Sequence, residues 1–312
     1  MKIIAITPDR KRDYTTEQTL EGLKQLGCEI MASDVGNGIQ KAYAEEQLLN
    51  EKNVDAVIAF FGKVRDNRQP KYHIAKLLKD RLPIIYVDGS EWTCTGYPTK
   101  DQLKDSLVDP AKRRGTPWLN HEMLTLANFY FKRECYTEDL RKGIKPHPFC
   151  LTQRHLIQSD EKDVDLMCVF GQTTTGLRKE VMQICMKLKQ ETNFNIVVQE
   201  NVEPNEYRQL LARSRIIVDA WGGGDTCDRF YEAVGAGACC LYQRYNIVQE
   251  NPYEDFQSAV EYWDPASFLE RVSLLLNSKQ LCLRIGDRGK QHALSYHTSE
   301  YRARKILQLL SR

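Results

Sequence analysis

At 312 residues and 36.1 kDa the chain is long enough for two domains of about 150 residues each. Its 28% charged and 42% hydrophobic residues exclude wholesale disorder and collagen-like repetition. A mean hydropathy of -0.52 and a net charge of +2 leave no run long enough to span a membrane and no electrostatic signature of strong binding to nucleic acid or acidic lipid.

The amino terminus, Met1-Lys2-Ile3-Ile4-Ala5-Ile6-Thr7, reads as a first strand rather than a signal peptide. Short apolar runs predict further strands at 29–32, 54–60, 84–88 and 128–131, with helices near 16–26, 38–51, 72–80 and 119–126 between them. Thr15 and Gln18 have capping-box spacing for the first helix, and Gly27 is its stop. The alternation then repeats. Strands are predicted at 165–170, 194–199, 215–220, 238–242 and 259–263, and helices near 177–191, 204–213, 228–236, 265–276, 279–295 and 299–310. Apolar runs of this length between helices fit parallel sheets covered on both faces. The fold class predicted is α/β, with two Rossmann-like doubly wound parallel-sheet domains. The junction is expected within 143–163, which holds Gly143, Pro146, Pro148 and the polar run Ser159 to Asp163. The domains are then 1–150 and 151–312, with the last helix, 299–312, free to pack back on the first.

Residues 89–118 break the rhythm. They are polar, rich in Gly and Pro, and follow the carboxyl end of a strand, where open α/β sheets bind ligands. The ten cysteines include no C-x-x-C pair, and several sit in apolar runs such as Leu166-Met167-Cys168-Val169-Phe170. Buried reduced thiols and a cytoplasmic location are the expectation.

Phosphate-binding signals are partial. The first strand is followed by Thr7-Pro8-Asp9-Arg10, not by a G-x-G-x-x-G fingerprint. The strand at 165–170 runs into Gly171-Gln172-Thr173-Thr174-Thr175-Gly176-Leu177-Arg178, a near miss for a P-loop with Leu177 and Arg178 where Lys and Ser/Thr belong. A glycine-rich turn into a helix still exposes backbone N–H groups to an anion, and Arg178 stands beside it. The richest segment runs from Asp219 to Ala238. A strand ends at 220, Gly222-Gly223-Gly224-Asp225 let a ligand approach the backbone, and Thr226 or Asp228 is placed to cap the next helix. Arg229 and Glu232 share one face of that helix, a surface salt bridge by one reading. By another, the carboxylate accepts the ribose hydroxyls of a nucleotide while the arginine faces its phosphates.

Arg229-Phe230-Tyr231-Glu232-Ala233-Val234-Gly235-Ala236-Gly237-Ala238 resembles the R-x-x-E-A-x-A-x-G signature of GT-B glycosyltransferases, nearest the group-1-like branch that includes the CgeB relatives. The resemblance runs on through Phe256, Tyr262-Trp263-Asp264 and Tyr296-His297-Thr298, covering roughly 165–312, and is weaker in the first half. It implies two Rossmann-like domains facing a cleft, with a nucleotide-diphosphate sugar such as a UDP-sugar held mostly by the second. Glu232 would then bind the donor ribose, Arg178 the diphosphate, and the glycines 222–224 the phosphates or sugar. Related retaining enzymes carry two glutamates separated by seven residues, and at the place of the first this chain has Gly224, with Asp225 one step later.

The leaving diphosphate needs cations or N–H dipoles. GT-B enzymes supply these from arginine, lysine and helix termini, so no metal cofactor is expected. Asp163-Val164-Asp165 matches a D-x-D pattern but lies beside the expected junction. An inverting reaction also needs a base for the acceptor hydroxyl, and Asp88 and Glu91 are the candidates. Both also suit turn capping, and in a retaining reaction Asp88 would only position the acceptor. The acceptor is open among a glycan, a small molecule and hydroxymethylated DNA, the last suggested by the basic stretches 63–68 and 112–114. A non-catalytic nucleotide-sugar-binding module is the third alternative.

Overall fold

The computed structural model of the chain describes residues 1–312 apart from 9–11, 62–70, 91–119, 158, 160, 172–176, 223–225 and 312. Glu91, Gly223, Gly224, Asp225, both basic stretches and all but the first two residues of the 89–118 segment lie outside the described residues.

The first half builds a six-stranded parallel sheet from β1 (Lys2–Ile6), β2 (Glu29–Ala32), β3 (Ala56–Phe60), β4 (Ile84–Asp88), β5 (Phe129–Lys132) and β6 (Lys145–Pro146). Its order is β2-β1-β3-β4-β5-β6. The second half builds a five-stranded parallel sheet from β7 (Val164–Phe170), β8 (Ile196–Glu200), β9 (Ser214–Asp219), β10 (Cys239–Gln243) and β11 (Val260–Tyr262), in the order β11-β10-β9-β7-β8. In both sheets the second strand lies on one side of the first and the third on the other, so the order reverses at β1/β3 and at β7/β9. Crevices at the carboxyl ends of such reversals are where doubly wound sheets bind ligands.

Successive residues of a strand face opposite ways, and the cores follow that period. Ile4, Ile6, Val57 and Ala59 meet α2 (Glu45–Asn50), α3 (Tyr72–Leu78) and α4 (His121–Leu126) on one face through Leu48, Ile74 and Met123. Ile3, Ala5, Ile58 and Phe60 meet α1 (Tyr14–Gln25) on the other through Leu20 and Leu23. That second face is completed by Ala303 and Ile306 of α11 (Ser299–Leu310), the last helix, which returns to the first sheet. In the second sheet Leu166, Cys168, Ile216 and Val218 pack on α6 (Arg178–Glu191) and α9 (Pro265–Leu276). Met167, Val169 and Ile217 pack on α7 (Pro204–Arg213), α8 (Asp228–Gly235) and Ala293 of α10 (Lys279–Tyr296). A short α5 (Thr137–Leu140) and a 3-10 turn at Gln153–His155 complete the described elements used below. Among the described residues no helix is long and apolar enough to cross a membrane.

Three local expectations are corrected. The Thr15–Gln18 capping box does not form: α1 is capped by Asp13, whose Oδ1 accepts from Thr16 N at 2.8 Å, and Gln18 faces the second half instead. The helix expected over 38–51 is cut back to 45–50, because Gly36 and Ile39 exchange backbone hydrogen bonds in a tight turn and Asn37 takes a φ of 52°. Neither Thr226 nor Asp228 caps α8. Cys227 holds that position without a side-chain capping bond, and the other two side chains reach into the first half.

Candidate functional site

At the β7/β9 reversal the chain leaves β7 at Gly171 and β9 at Ala220, and α6 and α8 both begin at this edge. A cleft of about 380 Å³ opens there, lined by Phe170, Gly171, Arg178, Asn201, Tyr207, Cys227, Arg229 and Glu232, with Tyr14 entering from the first half.

Arg178, in the first turn of α6, lies across the cleft wall. Its Nη2 donates to the Ala220 carbonyl at 3.0 Å and to Cys227 Sγ at 3.4 Å, with Phe170 beneath the guanidinium at 5.2 Å. A Cβ on Gly222 would stand 2.7 Å from that Nη2, so the first glycine of the loop is the residue that lets Arg178 pass. Among the described residues a Cβ on Gly171 would meet nothing within 4 Å.

Arg229 and Glu232 are three residues apart on α8, but each turns to a different partner. The Arg229 guanidinium rests over the Phe170 ring at 4.7 Å, with Nη1 3.8 Å from Asp219 Oδ1. Its Nε and Nη1 have no hydrogen-bond partner among the described residues, although both are shut off from solvent. Buried donors without acceptors are costly. Glu232 Oε2 accepts from Tyr207 OH at 2.7 Å. Asp219, enclosed at the end of β9, has its carboxyl pushed up to about 6 by burial, with Arg229 and Arg178 pulling the other way. Tyr245 donates to its Oδ2 at 3.1 Å.

The first half holds the rim of this cleft in place. Gln18 Nε2 donates to Asp228 Oδ1 at 2.8 Å, and its Oε1 accepts from Cys150 N at 3.0 Å. Asp228 Oδ2 accepts from Arg154 Nη2 at 2.6 Å and lies 3.3 Å from His155 Nε2. Burial alone would raise the Asp228 carboxyl, but His155 and Arg154 outweigh it and hold the group below the ordinary carboxylate range. Glu134, fully buried after β5, accepts from the hydroxyl of Thr226 at 2.8 Å and from its N–H at 3.3 Å. Gln18 carries only the capping-box spacing and Tyr207 no motif, and their tertiary partners, like that of Glu134, reveal the roles.

Asp88 stands apart from this group. It is fully buried at the end of β4, accepting from Tyr130 OH at 2.6 Å, Lys132 Nζ at 3.2 Å and Ser90 N at 2.9 Å. Burial pushes its carboxyl up, but Lys132 and the three donors outweigh that and leave it below the usual value. In the D-x-D pattern Asp163 pairs with Arg213 and Asp165 with Arg215. Among the described residues no group of three or more His, Cys, Asp or Glu side chains is placed to hold a metal ion.

Residues 168–308 match a family model described as "Glycosyl transferase-like". No curated protein sequence matches significantly. Among solved structures the chain is similar to a glycosyltransferase from Rickettsia africae ESF-5, at 10% identity and a TM-score of 0.63 over 99% of this chain and 97% of that one. It is also similar to Anabaena HepE in complex with UDP-glucose, at 10% identity and a TM-score of 0.56 over 100% and 99% of the two chains. Sucrose-phosphate synthase from Thermosynechococcus elongatus aligns at 10% identity and a TM-score of 0.59 over 100% and 98%. These similarities show the fold of the whole chain, the two-domain Rossmann-like architecture of GT-B glycosyltransferases. The cleft described above lies inside the matched segment, apart from the Tyr14 wall.

Proposed function

We propose that the protein transfers a sugar from a nucleoside-diphosphate sugar, with a UDP-sugar as the first candidate, to a hydroxyl acceptor. The observation that carries this reading is the convergence of Arg178, Arg229 and Glu232 on the β7/β9 crevice, with two buried N–H donors of Arg229 unpartnered. In this reading Glu232 accepts the ribose hydroxyls, Arg178 and Arg229 face the diphosphate, and Gly171 and Gly222 give the backbone room for its approach. Negative charge accumulates on the diphosphate as the sugar–phosphate bond breaks, and fixed guanidinium groups in a partly dehydrated cleft stabilise it without reorganising. The two arginines do this work in place of a metal ion. The signature at 229–238 supports the group-1-like branch with its CgeB relatives, and HepE in complex with UDP-glucose supports the donor class. The described cysteines are all free thiols, which supports a reducing, cytoplasmic setting. Asp88, already saturated by Tyr130, Lys132 and Ser90, fits a role in fixing the β4–β5 edge under the acceptor side better than proton abstraction.

The test is a thermal-shift panel with UDP, GDP, ADP, CDP and dTDP, each with and without magnesium. A ligand at about a hundred times its Kd adds about 2.7 kcal/mol to the folded state, a rise on the order of 5 °C. The expected result is such a rise with one nucleotide, unchanged by magnesium. No shift with any of the five overturns the reading.

A further inference from the structure

The contact that ties the cleft together comes from a residue outside the glycosyltransferase signature. Tyr207 sits in the first turns of α7, on the opposite wall from α8. Its hydroxyl donates to Glu232 Oε2 at 2.7 Å. The glutamate of the R-x-x-E pair is therefore held from α7, while its arginine rests on Phe170 and beside Asp219. Burial, reinforced by the Glu232 charge, keeps this phenol protonated far above its ordinary range, so it remains a donor at any working pH.

The geometry has a consequence for recognition. A carboxylate has about four lone-pair sites on two oxygens. Tyr207 occupies one site on Oε2, and among the described residues no other bond to the carboxylate is formed, which leaves its remaining sites for a ligand. Two vicinal hydroxyls can be accepted together only by a carboxylate whose plane is fixed. A free glutamate side chain loses rotamer freedom when it is ordered, and the phenol imposes that ordering before any ligand arrives.

We infer that Tyr207 is the positioning residue that presents Glu232 to the 2′- and 3′-hydroxyls of the donor ribose, and so makes the site select ribonucleotides over 2′-deoxyribonucleotides. The inference rests on the donor-site reading above and adds to it a residue and a selectivity. A site built to accept a hydroxyl rejects the analogue that lacks it, because a buried acceptor is then left without its donor.

The experiment is calorimetric titration of the full-length protein with three matched pairs: UDP and 2′-deoxy-UDP, GDP and 2′-deoxy-GDP, ADP and 2′-deoxy-ADP. Wild type is expected to bind the ribose member of one pair at least tenfold more tightly. In Tyr207→Phe that ratio is expected to fall below threefold, and in Glu232→Gln likewise. Combining the two changes should lower it no further, because Tyr207 acts through Glu232. A Tyr207→Phe variant that weakens both members of the pair equally has lost a structural contact only, and this overturns the inference. So does a ratio preserved in Tyr207→Phe, or a wild type without ribose preference. If Tyr207→Phe fails to fold, Tyr207→His, which keeps a donor at the same wall, is expected to retain part of the ratio, and its complete loss with ligand binding intact overturns the assignment. Absence of binding by every nucleotide instead overturns the donor-site reading, and the inference with it.

Discussion

Asp228 shows how much one side chain carries when two halves of a chain meet. It stands at the start of α8, one residue before Arg229, and binds Gln18 of α1, Arg154 and His155 at once. Its side chain is only 12% exposed, so the pair with Arg154 is screened little by solvent. Removing one member of a buried ion pair leaves the other charge uncompensated, at a cost of about 3–5 kcal/mol for a fully buried pair. Arg154 is a quarter exposed, so the lower end applies. Asp228→Ala is therefore expected to lower stability by about 3 kcal/mol, seen as a lower midpoint in urea with an unchanged slope. A loss below about 1 kcal/mol would show that Gln18, Arg154 and His155 find water as readily as they find Asp228.

At the scale of elements, the contact between α1 and α11 rests on one glycine. A Cβ on Gly22 would stand 2.0 Å from the Ser299 carbonyl oxygen and 2.9 Å from Ala303 Cβ. The obstacle is backbone, so no rotamer relieves it. Gly22→Ala favours α1 by helix propensity, by roughly 1 kcal/mol. It must nevertheless push α11 off the first sheet, where Ala303 and Ile306 complete the core. Overpacking of this kind costs about 1–3 kcal/mol, so the net expectation is destabilisation, with faster amide exchange in 299–310 than elsewhere in the second half. A variant as stable as wild type would mean that the two helices separate freely. Nothing in the sequence marks Gly22 as different from any other helical glycine. The strands were legible because β3 and β7 are continuous apolar runs that only a doubly covered sheet accommodates. Arg178, Arg229 and Glu232 were legible as candidates because of their spacing to glycine-rich turns, and the structure brings them to one crevice. Gln18 was misread as a cap because Thr15-x-x-Gln18 satisfies a local rule, while Asp13 makes the stronger local bond and frees Gln18 for Asp228. Tyr207 and Glu134 were not legible, because their partners lie 25 and 92 residues away along the chain.

At the scale of the whole molecule, the same junction sets the response to acid. His147 and His297 are buried where α11 returns to the first half, and both are pushed down to about 3, first by burial and then by Arg302. Arg302 Nη2 donates to His297 Nδ1 at 2.8 Å, so Nδ1 must be unprotonated, and Nε2 carries the proton toward the Asn251 carbonyl at 2.8 Å. His147 Nε2 lies 2.8 Å from the Thr19 hydroxyl. Protonating either ring puts a cation beside Arg302 in a dry interface. The unfolded chain, with both near the ordinary 6.5, binds more protons than the native one between about pH 3 and 6.5. Stability therefore rises with pH across that window and is lost as pH falls through it, by at most about 1.4 kcal/mol per pH unit for each histidine. Asp219 acts in the opposite sense. Its native value near 6 lies above the ordinary 3.8, so its contribution is complete below 3.8 and disappears as pH rises through 6. Between about pH 4 and 6 it offsets one of the two histidines. The expected curve is nearly flat from about pH 6.5 to 7.5 and falls as pH drops below 6.5, with the slope of roughly one net proton rather than two through the middle of the window. Urea midpoints measured at half-unit steps from pH 7.5 to 4.5 test this, and His297→Gln should flatten the curve further while Arg302 keeps its acceptor. A midpoint constant from pH 7 to pH 5 would mean that the rings titrate in solvent and that the return of α11 does not enclose them.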